Sequence, residues 1–295
     1  NFSNNKHKIN GSVNFSKHKI KIKFLNNLSA EKYLKISVPN LKQSLDIKFD
    51  PASSLKSLSG EMKLKIFQTV LLLNFDGKDD FIISKSYLRN KFLNSKIDGK
   101  ISFKNQFYFD LNMNINQINL KKLLLYYPIL EKGNISKKIN GKIKIFIKST
   151  DSLFGKIQDI NTVLKLQNGD IRVDNFSAIF PEESKVKANA AIISGNKGAT
   201  IEFITNFSTN KAKNFFRKLG SYNFSQNKFS LLLDGTINLR EKKIRLKKII
   251  KNNNEKIGNK EISLIEKNLN LYVIDDGILG LFDFFKIKKF IKESN

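Results

Sequence analysis

Cysteine and tryptophan are absent from this 295-residue sequence, and it has only two histidines and four prolines. Without cysteine, neither disulfide bonds nor thiolate metal sites can form, and the redox compartment is left undetermined. So few prolines, together with only 15 glycines, leave little room for a low-complexity linker. No apolar run approaches the ~20 residues that a membrane-spanning helix requires.

Motifs of common enzyme chemistry are also absent. The sequence contains no HExxH, nucleophile elbow, P-loop or dinucleotide-binding fingerprint. Three carboxylate pairs occur where turns or helix caps are expected, and we interpret them as structural: Asp79-Asp80, Glu182-Glu183 and Asp275-Asp276. We therefore predict a protein that is not an enzyme, with no catalytic residues, cofactor or metal. A hydrolase built from distant carboxylates is the remote alternative.

The charge is strongly one-sided. Lys and Arg number 53 against 26 Asp and Glu, a formal net charge of +27. Such a charge is typical of proteins that bind nucleic acid or anionic membranes. Here, however, many lysines alternate with apolar residues, as in the stretch 19–24, and form the solvated side of amphipathic strands. Because no nucleic-acid motif accompanies them, we favour compositional bias and expect no nucleic-acid partner; a basic nucleic-acid-binding protein remains a further alternative.

An apolar content of 40% indicates a folded chain. Residues 97–128 show how it is organised. Five apolar residues alternate with polar ones, which predicts a strand with one apolar side: Phe107, Phe109, Leu111, Met113 and Ile115. Residues 101–103 end a preceding strand, and 104–106 are short enough to join the two as a hairpin. Helical spacing follows from Asn119 to Tyr127, before Pro128.

One short pattern recurs at irregular spacing, and we predict that it begins strands: an apolar residue, a small polar residue, glycine, any residue and an aliphatic residue. It occurs at residues 9–13, 58–62, 97–101, 139–143 and 233–237, and more loosely at 167–171. Asn-Gly and Asp-Gly are also ordinary turn signals, which explains any single copy equally well. The alternating flanks of the whole series favour a repeated β-unit, without the fixed period of a solenoid.

Helical spacing returns at residues 209–219, with Thr209 as the predicted cap and Gly220 as the predicted stop. It returns again in the tail, at residues 262–273 and in a second helix after Asp275-Asp276. That second helix carries three lysines near its end, Lys286, Lys288 and Lys289. We interpret the tail as helices that cover the open end of a sheet. The alternative is a basic amphipathic helix that lies on an anionic membrane or docks a partner.

The repeated glycine pattern, the hairpin followed by the helix 119–127, and the meander at residues 169–192 resemble AsmA-like proteins. TamB and related repeating β-groove proteins are more distant relatives. The likeness is clearest over residues 97–250. It implies a long, twisted antiparallel sheet curled into a groove with an apolar concave side. It also implies a protein anchored in the inner membrane of Gram-negative bacteria, projecting into the periplasm and serving phospholipid transport and outer-membrane assembly.

We therefore predict a mainly β fold: a long antiparallel sheet of repeated hairpins curled into an open groove, with a few short helices and a helical C-terminal end. Three segments are expected: an N-terminal β-repeat portion at 1–96, AsmA-like groove repeats at 97–255 and a helical cap at 256–295. Because the sequence starts at Asn1 instead of Met, we expect the N-terminal portion to be truncated and the inner-membrane anchor to lie upstream.

The predicted function is to shield or conduct phospholipid acyl chains between the two membranes. Phe107, Phe109, Leu111, Met113 and Ile115 are the predicted groove lining, although ordinary packing against a helix explains them equally well. The expected partners are phospholipid, the inner membrane and outer-membrane assembly proteins. The alternative is an interaction module for outer-membrane assembly whose apolar side is closed by its own helices and binds no lipid.

Overall fold

The chain forms two compact units, residues 1–117 and 118–295. The computed structural model describes residues 2–3, 6–15, 17–27, 32–53, 57–104, 106–119, 138–152, 155–195, 198–222, 224–274 and 284–293. The helix predicted after Asn119 and the cap predicted at Asp275-Asp276 lie outside these residues. The three segments predicted from the sequence were defined by their repeat content, whereas the two units are defined by compactness. The two units therefore do not test the three segments, which stay a prediction.

The first unit is an antiparallel meander in which each strand pairs with the next one along the chain. A single 3-10 helix, at Pro39–Leu41, is the only helix in its described residues. The strands are β1 Phe2–Ser3, β2 Lys6–Phe15, β3 His18–Asn27, β4 Lys32–Val38, β5 Gln43–Phe49, β6 Leu58–Ile66, β7 Thr69–Gly77, β8 Asp80–Arg89, β9 Leu93–Ser102 and β10 Tyr108–Ile118.

The second unit repeats this plan and adds helices. Its strands are β11 Asn140–Ser152, β12 Gly155–Gln167, β13 Asp170–Phe180, β14 Ser184–Gly195, β15 Gly198–Thr209, β16 Phe229–Asn238, β17 Lys243–Lys251 and β18 Glu255–Lys256. Its helices are α1 Ala212–Lys218, α2 Asn259–Tyr272 and α3 Phe284–Glu293. The predicted fold class is confirmed: a mainly β protein built from an open antiparallel sheet of hairpins, with few helices and a helical C-terminal end.

The recurring glycines lie inside strands and not in turns, except for Gly169, which stands in the turn between β12 and β13. Gly60 shows what they do. It lies on β6 between Phe49 and Phe75 on the flanking strands, and these two rings meet over it with centroids 6.2 Å apart. A glycine on the apolar side of a strand therefore lets its neighbours close together, which bends the sheet.

Helix α2 covers both the apolar side and the outer edge of β17. Buried residues of the helix and the strand form one core, which includes Ile249 and Leu269. The backbone N–H of Ile244 donates to Oδ1 of Asn270 at 2.8 Å, and Nδ2 of Asn270 donates to the carbonyl oxygen of Ile244 at 3.0 Å. Helix side chains thus replace the next strand, and the predicted covering role of the tail is confirmed for α2.

The predicted helix after residue 209 is confirmed as α1, and Gly220 follows its end with a φ of +89°. The predicted cap is wrong. Thr209 is the last residue of β15, and its hydroxyl oxygen accepts the N–H of Lys211, the residue at the cap position. The helix is held instead by aromatic packing, in which the Phe216 and Phe224 rings stack with centroids 4.4 Å apart. Phe215 of the helix also packs on Phe207 of β15, with ring centroids 4.9 Å apart, so contact with the sheet helps to stabilise the helix.

Candidate functional site

One side of the first unit is apolar across nine strands. The pairing register places alternate residues of neighbouring strands on the same side, so the apolar positions of β2 to β10 form a continuous surface. We call this surface the apolar face. It includes Ile9, Val13, Phe15, Ile20, Ile22, Phe24, Leu34, Ile36, Val38, Leu45, Ile47, Phe49, Met62, Leu64, Leu71, Leu73, Phe75, Phe81, Ile83, Ile97, Ile101, Phe109, Leu111, Met113 and Ile115.

The apolar face is buried around β7 to β9 and exposed to solvent at β2. Ile83, on β8, is only 2% exposed, and Leu73 and Ile97 on the flanking strands are also buried. Ile9 on β2 is 60% exposed. Among the described residues, the apolar side chains packed around Ile83 come from β6 to β10 of the sheet itself, which is the packing expected of a curved sheet. The exposed apolar surface therefore belongs to β2 and its neighbours.

A row of phenylalanine rings marks the curved part of the face. Successive ring centroids lie 5.3 to 6.2 Å apart, the spacing of favourable edge and tilted contacts. The row crosses from β5 to β10. Its members are Phe49, Phe75, Phe81, Phe103, Phe107 and Phe109.

The five predicted lining residues lie in or beside β10. Phe109 and Ile115 are buried, whereas Phe107 is half-buried in the turn before the strand. Leu111 and Met113 pack against the buried cluster of Leu73, Ile83 and Ile97. Their role as a ligand-binding lining stays a prediction.

The more accessible part of the face lies on β2 and β3, where no lining residue was predicted. Ile9, Val13 and Phe15 are among its most exposed apolar side chains. Their alternation was visible in the sequence and predicted the hairpin, but it gives no measure of exposure. Exposure depends on how far the neighbouring strand covers the edge, and among the described residues the pairing on this side of β2 is with the two-residue strand β1.

The opposite side of the first unit is polar and basic. Its β3 lysines, Lys19, Lys21 and Lys23, are exposed, and Lys35 pairs with Asp46 at 3.0 Å. This side also has a shallow depression of about 570 Å³, lined mostly by polar residues: Lys48, Asp50, Ser59, Gly60, Glu61, Asn74, Phe75, Asp76 and Ser84. Of these lining residues, Gly60 and Phe75 occupy positions of the apolar face. No group of three or more metal-ligating side chains occurs among the described residues.

Three carboxylates from two of the predicted structural pairs, Asp80, Glu182 and Glu183, make contacts with neighbouring elements. A hydrogen bond from Ser102 and an ion pair with Lys100 lower the pKa of Asp80. In the turn after β13, a hydrogen bond from Lys218 on α1 lowers the pKa of Glu182. The neighbouring Glu183 accepts a hydrogen bond from Lys211 and raises the pKa of that lysine. Each carboxylate therefore ties a turn to an adjacent element.

Comparison with known proteins identifies no relative: no protein-family model matches the chain, and no curated protein or solved structure is significantly similar to it. The resemblance to AsmA-like proteins stays a prediction. Within the described part of the chain, no helix has the length and apolar character needed to cross a membrane.

Proposed function

We propose that this protein binds phospholipid acyl chains on the apolar face of its first unit and shields or conducts them between the inner and outer membranes of a Gram-negative envelope. In this proposal it acts in the periplasm without catalysis. One observation carries the proposal: an apolar face runs through nine strands, and no α-helix covers it in the described part of residues 1–117. In the second unit, by contrast, α2 covers the corresponding side.

The energetics favour an occupant of this kind. Each methylene group that leaves water contributes about 0.8 kcal/mol, so a chain segment of ten methylenes contributes roughly 8 kcal/mol before ordering costs. An acyl chain is flexible enough to follow a curved face, and the face provides no polar contact that would demand a particular headgroup. We therefore expect binding of several phospholipids, with selectivity set outside the face.

The proposal is tested by native mass spectrometry of the purified full chain, followed by organic extraction and lipid analysis. Bound phospholipid is the expected result. Val13→Asp and Ile22→Asp place a charge on the exposed part of the face and should abolish the bound mass. Both sites are exposed or nearly so, and hence tolerate a polar residue without unfolding.

Ile82→Asp is the matched control. Ile82 is 56% exposed on the opposite, polar side of the sheet, where it pairs with Asp76 and Lys100. This variant should keep its lipid. Equal loss of lipid in all three variants would indicate general destabilisation. A wild-type chain without lipid, even after incubation with vesicles, would favour the alternative of an assembly module.

A further inference from the structure

Four turns of the first unit share one end of its strands. Because each strand runs antiparallel to the next, successive turns of a meander fall at opposite ends, and every second turn falls at the same end. The turns between β2 and β3, β4 and β5, β6 and β7, and β8 and β9 therefore line up. Successive members are about 10 Å apart, two strand spacings. We call this set of turns the basic rim; its described residues are 15, 17–18, 38–43, 66–69 and 89–93.

The basic rim contains no Asp or Glu. It carries three exposed lysines, Lys17, Lys42 and Lys91, none of which has a carboxylate partner among the described residues. The turns at the opposite end are different in character, because they include Asp50 and the pair Asp79-Asp80. Acidic residues thus accompany the lysines at the opposite end of the strands, whereas the sequence of the basic rim has none.

Exposed aromatic rings accompany the lysines. Phe15 and Phe67 are 70% and 68% exposed, at the tips of the first and third hairpins of the rim. Phe67 also has a φ of +52° at the first central position of a two-residue turn, where glycine or asparagine is preferred. A bulky side chain in this conformation is strained, and it gains no burial in return. The ring therefore has a role that folding alone does not supply.

We propose that the basic rim docks the first unit on an anionic membrane surface, with Phe15 and Phe67 inserted among the headgroups and the lysines on lipid phosphates. This goes beyond acyl-chain binding, because the rim lies on the turns and not on the apolar face. A nucleic acid also attracts lysines and stacks on aromatics. The rim, however, borders the apolar face, and Phe15 belongs to both. A partner of the rim must therefore also bury apolar side chains, which favours a membrane over a nucleic acid.

The test is sedimentation of the full chain with vesicles of phosphatidylcholine alone or of an equal mixture with phosphatidylglycerol. The wild-type chain is expected to bind the mixed vesicles and to release them at high salt. Changing Lys17, Lys42 and Lys91 together to Gln should weaken binding on the order of 100-fold, at about fivefold for each lysine. The matched control changes Lys48, Lys78 and Lys104, which lie at or near the opposite end, and should bind nearly as the wild type does.

Phe67→Asn separates docking from folding. Asparagine accepts a positive φ, so the variant should be at least as stable as the wild type while binding mixed vesicles more weakly. Equal weakening by the two triple-lysine variants would overturn the proposal in favour of diffuse charge. It would also be overturned by a Phe67→Asn chain that binds unchanged, or by a single-stranded oligonucleotide that displaces the vesicles through the same three lysines. Lipid extraction distinguishes failure of rim docking from failure of acyl-chain binding. A chain that does not dock through the rim but still carries extractable phospholipid would contradict the docking proposal alone.

Discussion

Replacing Gly99 with alanine is expected to destabilise the first unit far more than replacing Gly11, although both glycines occupy the same place in the recurring pattern. A Cβ at residue 99 would lie 2.2 Å from the carbonyl oxygen of Asp110 and 2.8 Å from Cα of Leu111. Both atoms belong to the backbone of β10, so no side-chain rotation can relieve the contact. The φ of +141° at Gly99 is itself unfavourable for alanine.

The expected magnitude follows from these two effects. Overpacking against a neighbouring backbone costs about 1–3 kcal/mol, and a residue held in a sparsely populated conformation costs about 1–3 kcal/mol. Gly99→Ala should therefore reduce the free energy of unfolding by roughly 2–6 kcal/mol, a large part of the ~5–15 kcal/mol of a typical domain. At Gly11 nothing lies within 4 Å of an added Cβ. Alanine there should change the free energy by less than about 1 kcal/mol.

Urea unfolding followed by far-ultraviolet circular dichroism measures the stability, and hydrogen exchange of peptides from β8 to β10 shows where it is lost. Gly99→Ala should lower the urea midpoint and the protection of these strands, while Gly11→Ala leaves both unchanged. If the two variants behaved alike, close approach of strands would not be the reason for the recurring glycines, and the explanation of the sheet's curvature would fail.

Three further predictions concern the second unit. Asn270→Ala removes both hydrogen bonds to the backbone of Ile244 and should lower the free energy of unfolding by about 1–3 kcal/mol, which chemical denaturation measures. Size-exclusion chromatography should also show self-association through the uncovered β17 edge. Ile249→Ala opens a cavity at a residue 2% exposed and should cost about 2–5 kcal/mol; an unchanged denaturation midpoint would contradict the packing of α2 on β17. Because the pKa of Glu182 lies below its ordinary 4.5, its ion pair with Lys218 stabilises the fold above that pH and is lost as pH falls through the lowered pKa. Hydrogen-exchange protection of α1 should then decrease in acid, whereas Glu182→Gln should be insensitive to this pH change.

The hairpins were predictable because apolar and polar residues alternate along almost every strand, as in β10. The recurring glycine pattern was expected to begin strands, which is confirmed for Gly60 near the start of β6 but not for Gly99, which lies late in β9. Ser-Gly and Asp-Gly carry the same local signal in a turn and in a bent strand. Only the register distinguishes them, by placing each glycine opposite residues of two neighbouring strands.

The basic rim was hidden for a related reason. Lys17, Lys42 and Lys91 are 25 and 49 residues apart in the sequence, and only the parity of the strand count assigns their turns to one end. If the sequence prediction omitted one strand between two of these lysines, it would place their turns at opposite ends of the strands. The edge-covering contacts of Asn270 also escape prediction, because an asparagine in an amphipathic helix shows no sign of the backbone that it will meet.

The central claim is that acyl chains lie on the apolar face of the first unit. Photo-crosslinking with a phospholipid that carries a diazirine in its acyl chain tests it most directly, with the adducts mapped by mass spectrometry. The account predicts adducts on the apolar side of β2 to β5, at residues such as Ile22 and Ile36. Adducts confined to the α2 and α3 surfaces or to the polar side of the sheet, or no adducts at all, would contradict it.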